Sequence, residues 1–232
     1  MERSTREKAA QGKFIILYDT AKKCLLIIDH LFSDLENGTR LAADFASIKD
    51  SESIIIGLYI SALGLVDYFH RFYQIVQAMP LLNKKLPELR KLGKLMAPVT
   101  DCRNYLQHIR SKLSEHEQVK YPILGAISWV NDGHNCTLFA GQPTALYQLA
   151  SITYDRILQR YVCQYQLAVG GHEIHIDSVY LELKSFWSWL GEHTVINPAE
   201  IKTYTWGTPN IVESWFSTEP LQNQEDLEHG PL

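Results

Sequence analysis

Ser51-Glu52-Ser53-Ile54-Ile55-Ile56-Gly57-Leu58-Tyr59-Ile60-Ser61-Ala62-Leu63-Gly64-Leu65-Val66 is apolar on nearly every helical face, and the pattern continues to about Ala78 before Met79-Pro80 stops it. Ser51 is placed to cap the free N–H groups at the start. An amphipathic surface helix would show a polar side over this length, so the segment predicts the central helix of a bundle. The longest apolar run, Ile54 to Val66, is interrupted by Gly57, Ser61 and Gly64 and is shorter than the roughly 20 residues that a bilayer span needs.

Helical signals lie on both sides. From Lys13 to Leu35, Phe14, Leu17, Tyr18, Ala21, Cys24, Leu25, Ile28, Leu31, Phe32 and Leu35 recur at helical spacing, and Asn37-Gly38 reads as the end. A third helix is expected from Leu86 to about Glu117. Pro98 predicts a kink or break, with a new helix starting near Val99.

After Tyr121 the period changes from helical to alternating. Ile123 to Val130 and Asn135 to Phe139 flank Asn131-Asp132-Gly133, and Tyr161 to Val169 joins His172 to Ile176 through Gly170-Gly171. Both read as hairpins, forming an antiparallel sheet with one face on the helices. A last helix from Ser178 to Leu190 is expected to stop at Gly191. Trp187, Trp189, Trp206 and Trp215 supply aromatic surface for docking this end of the chain. The fold predicted is therefore α+β: a mainly helical bundle over residues 13–118, then about four antiparallel strands and a closing helix over 119–195, and an extended acidic tail over 196–232.

At 46% hydrophobic, the 232-residue chain buries a core. No apolar leader with a cleavage site follows the mixed-charge first 13 residues, so the expected address is the cytoplasm, with no membrane partner. Cys24, Cys102, Cys136 and Cys163 are widely spaced and read as reduced, buried residues. Residues 84–120 hold nine basic and four acidic side chains, a net +5 in a chain of net −4, which leaves −9 elsewhere. Such a patch is either a solvated helix face or a footprint for phosphate.

Within that patch lies Asp101-Cys102-Arg103-Asn104-Tyr105-Leu106-Gln107-His108-Ile109-Arg110. At about 100° per residue, Cys102, Tyr105, Leu106, Ile109 and Leu113 make one stripe facing the core. Asn104, His108 and Ser111 fall opposite it, and the long Arg103 side chain can swing over the same face. Imidazole titrates near neutrality and serves as acid or base; guanidinium holds phosphate by paired hydrogen bonds. Asparagine can orient either. This set suits RNA cleavage, where the 2′-OH is an internal nucleophile and no metal or other cofactor is needed. The plain alternative is a solvated helix face.

Arg103-Asn104-Tyr105-Leu106-Gln107-His108 resembles the R-x4-6-H signature of HEPN domains, in its R-N-x-x-x-H form. Arg110 and His116 repeat the bare spacing, so the asparagine after Arg103 is what makes the match specific. The resemblance covers the helical half and implies a helical bundle that dimerises around a shared cleft. It also implies a metal-independent endoribonuclease of the toxin or anti-phage kind, with an antitoxin or a neighbouring defence protein as a further partner. Arg103, Asn104 and His108 would then be catalytic, with His108 as acid/base, Arg103 on the phosphate and Asn104 in support. Asp67, His70, Arg71 and Gln107 are expected behind them, and Lys94, Arg110 and Lys112 as further phosphate or RNA contacts. The hairpins are not part of the usual bundle. Arg110 stands where some members carry a tyrosine modified by a partner nucleotidyltransferase, so that regulation is not expected. The competing reading is a non-catalytic dimeric scaffold or a nucleotide- or nucleic-acid-binding protein.

Two other clusters are weaker. Asp67, His70 and Arg71 share one helix face and read first as a structural ion pair. Glu173, His175 and Asp177 alternate onto one strand face but lack a fourth ligand, so no metal site is assigned.

Overall fold

A computed structural model describes residues 5–42, 52–114, 121–140, 153–155 and 157–193. The tail, with Trp206 and Trp215, lies outside them, as do Ser51 and His116.

The central helix is α2, Glu52–Ala78, and it buries Leu58, Ala62, Leu65, Val66, Phe69, Phe72 and Val76. By length and composition alone α2 is long and apolar enough to cross a membrane. Its buried side chains join one core with those of α1, Thr5–Ala42, and α3, Pro87–Gln107. The first two helices run antiparallel, since Gly38 lies against Leu58 and Leu31 against Gly64. Lys84 donates to the carbonyls of Val76 and Met79, closing the C-terminal end of α2 with a cation where the helix dipole is negative.

Helix α1 does not stop at Asn37-Gly38. Thr39 and Ala42 continue its buried stripe beyond Leu35, and a Cβ on residue 38 would lie 2.8 Å from Leu58 Cδ2. Gly38 is therefore a point of close helix approach, not a terminator.

Pro98 does not break α3 either. Leu89, Leu92, Met96, Val99 and Cys102 are buried on one continuous stripe spanning the proline, and that packing outweighs one lost backbone bond. The break comes instead at His108, with φ −108° and ψ 24°. A short α4, Ile109–Ser114, follows and buries none of its residues, so the core stripe expected to run through Ile109 and Leu113 ends with α3.

The sheet has four antiparallel strands in the order β2-β1-β5-β6: β1 is Ala126–Asn131, β2 His134–Phe139, β5 Tyr165–Val169 and β6 His172–His175. Asp132 and Gly133 turn the first hairpin with φ of 46° and 77°. One face (Ile127, Trp129, Leu167, Ile174) enters the helical core. The other is polar and also covered at its centre, where Ser128 bonds Thr137, and Gln166 Nε2 donates to Glu173. The second hairpin begins only at Tyr165. Arg160–Tyr161 is β4 of a separate ladder with β3, Tyr154–Asp155.

Helix α5, Ile176–His193, continues past Gly191 and docks on helices as well as on the sheet. Tyr180 stacks on Phe32 at 4.1 Å, Trp187 lies 4.4 Å from Tyr18, and Lys184 pairs with Asp29 at 2.8 Å.

Candidate functional site

The core stripe of α3 leaves two flanks, and the polar residues divide between them. Arg103 and Gln107 lie on the flank that meets α2. There Arg103 Nε donates to Asp67 Oδ1 at 3.1 Å, and its Nη1 donates to Gln107 Oε1 at 3.1 Å. Arg71 Nε donates to the other Asp67 oxygen at 2.6 Å. Burial alone would raise the Asp67 pKa, but the hydrogen bonds and charges of the two arginines outweigh it and hold the carboxyl below its ordinary value.

His70 is buried behind this pair. Thr100 Oγ1 donates its proton to the Met96 carbonyl, so the 3.3 Å contact to His70 Nδ1 is satisfied with Nδ1–H as donor. Burial, reinforced by the positive charges of Arg103 and Arg71 and opposed by Asp67, lowers the His70 pKa. Between the depressed folded value and the ordinary one of about 6.5, the unfolded chain binds more protons. Stability from this group is therefore full above that ordinary value and is lost as the pH falls through the folded one. Urea unfolding at pH 7 and pH 5 should show wild type losing stability over this step and His70→Asn losing less. Equal losses would remove His70 as the cause.

The other flank forms one wall of an open cleft of about 630 Å³, lined by Asp101, Asn104, Tyr105, His108, Ser111, Lys112, Gly170 and His172. Asn104 and His108 are exposed there, one turn apart. The helix break fixes the backbone of His108: its N–H donates to the carbonyls of Asn104 and Tyr105, and its own carbonyl accepts from Lys112 N and Ser111 Oγ. The β5–β6 turn lines the same cleft through Gly170 and His172. A Cβ on residue 170 would lie 2.3 Å from the Tyr105 ring, so the turn packs its bare backbone on that ring.

The structure thus brings Asn104, His108 and Lys112 together, and separately gathers Arg103, Gln107, Asp67, Arg71 and His70. Arg103 does not swing over the Asn104–His108 face, because the Asp67 carboxylate offers it a charge-assisted bond on the α2 side. Lys94 and Arg110 are exposed and lie outside the cleft lining. Tyr105, expected in the core, is half-buried at the cleft edge. Sequence reasoning missed His172. The Gly170-Gly171 turn located it at a strand start, but nothing local announces which helix a hairpin will pack against.

Glu173 and Asp177 are engaged elsewhere: Glu173 accepts from Gln166, and Asp177 accepts from the Tyr165 N–H. Among the described residues no three metal-binding side chains gather. Cys102 and Cys163 are buried, and desolvation pushes both thiols up to about 12, which leaves them inert as nucleophiles at neutral pH. No protein-family model, curated protein or solved structure matches this chain.

Proposed function

We propose that the chain is a metal-independent endoribonuclease of HEPN type, with its chemistry in the cleft between α3–α4 and the β5–β6 turn. One observation carries the reading: Asn104 and His108 of the R-N-x-x-x-H segment line the same open cleft. His108 takes the proton of a ribose 2′-OH, whose oxygen attacks the adjacent phosphorus. The bond to the 5′-oxygen breaks, leaving a 2′,3′-cyclic phosphate and a 5′-hydroxyl. Asn104 orients the strand, and Lys112 offsets phosphate charge in the cleft. Arg103, on the next flank, holds a flanking backbone phosphate. Its guanidinium has five N–H donors, and Asp67 and Gln107 take two of them.

The reading carries with it a homodimer, a cytoplasmic setting as a toxin or phage-defence effector, and an antitoxin or neighbouring defence protein as partner. The competing scaffold or nucleotide-binding reading draws on one observation, that Arg103 is bonded within its own chain. It predicts that bound RNA is released whole. The test is an RNA oligonucleotide and the DNA of the same sequence, each incubated with the full chain in excess chelator. Cleavage of the RNA alone is expected, and an intact RNA overturns the proposal.

A further inference from the structure

We infer that His172 is the general acid of the same cleft, so that one protomer supplies both proton-transfer groups. This rests on the ribonuclease reading and adds a residue outside the motif that suggested it.

Two imidazoles, on separate elements, line one cleft. His172 is exposed, and among the described residues neither its ring nor that of His108 makes a hydrogen bond that would give it a structural task. The position of His172 is nonetheless set. It opens β6 opposite Val169 in the hairpin register, directly after a turn with Gly170 packed on Tyr105 and Gly171 close to Tyr121. Glycine at both turn positions, with φ of 57° and 86°, permits that docking. The hairpin therefore delivers one side chain to the cleft that His108 lines.

RNA cleavage by 2′-OH attack needs two proton transfers. As the 2′-oxygen to phosphorus bond forms, a base removes the 2′ proton. As the bond from phosphorus to the 5′-oxygen breaks, that oxygen needs a proton to leave as an alcohol. His108 performs the first transfer. The His172 imidazolium performs the second, ends neutral, and regains its proton from solvent.

A leaving group that needs no protonation separates this role from a structural one. In an oligonucleotide whose cleaved linkage carries sulfur in place of the 5′-oxygen, the departing thiolate is stable enough to leave unassisted. His172→Ala should cut the all-oxygen RNA about 10²-fold or more slowly than wild type, yet cut the sulfur-bridged RNA within about threefold of wild type. His108→Ala should be slow on both. Circular dichroism and His172→Gln check that the fold is intact. Equal losses of His172→Ala on both substrates, or no loss on either, would overturn the assignment and leave the ribonuclease reading standing. A wild-type chain that cuts neither substrate would overturn both.

Discussion

Replacing His108 by alanine should lower the rate of RNA cleavage by about 10²–10⁴-fold, the usual contribution of a positioned acid–base group, and leave thermal unfolding unchanged. The second half follows from where the residue lies. His108 is exposed at the break between α3 and α4, its backbone makes the local hydrogen bonds, and its side chain supports no buried contact. Asn104→Ala, one turn earlier and equally exposed, should be milder, because an orienting group moves no proton. Cleavage by the His108→Ala protein at the wild-type rate would remove the cleft from the chemistry.

Gly170→Val should have the largest effect on stability, at roughly 3 kcal/mol or more. Two costs act together: a β-branched residue is held at φ 57°, and a Cβ is pushed to 2.3 Å from the Tyr105 ring. Relief of either requires the β5–β6 turn to leave α3, which opens the cleft and moves His172, so activity falls with stability. Tyr105→Ala in the same chain should recover the steric part and leave the backbone part, a non-additivity that a double-mutant cycle in urea reads directly. A Gly170→Val protein within about 0.5 kcal/mol of wild type would show that the turn does not rest on Tyr105.

Much of the architecture was legible because it follows from periodicity. The apolar run of α2, the heptad-like spacing of α1 and the two glycine turns each announce a local geometry that tertiary packing then keeps. Two of the misreadings share one cause. Gly38 and Pro98 both discourage helix in isolation, yet each helix continues through them because a buried stripe runs on: Thr39 and Ala42 after Gly38, and Val99 and Cys102 after Pro98. Helix α5 ends at His193, just past Gly191, with Leu190 its last buried residue. Propensity of about 1 kcal/mol for glycine and about 3 kcal/mol for proline yields to several buried side chains. Conversely, the break at His108 has no breaker residue to announce it.

The candidate site was half legible. Helical geometry placed Asn104 and His108 on one flank, because their relation lies within a single turn. It could not decide the direction of Arg103, since Asp67 is 36 residues away and only the packing of α2 on α3 brings it within 3.1 Å. Nor could it find His172, which reaches the cleft through the docking of a hairpin on a tyrosine.

The most direct measurement of the central claim is the chemistry of the cut ends. Fragments from the chelator-treated RNA digest, weighed by mass spectrometry, should carry a 2′,3′-cyclic phosphate, or the monophosphate formed by its hydrolysis, on the upstream piece and a 5′-hydroxyl on the downstream piece. Fragments bearing a 5′-phosphate and a free 3′-hydroxyl would require attack by water instead of the 2′-oxygen, and would contradict the mechanism assigned to His108.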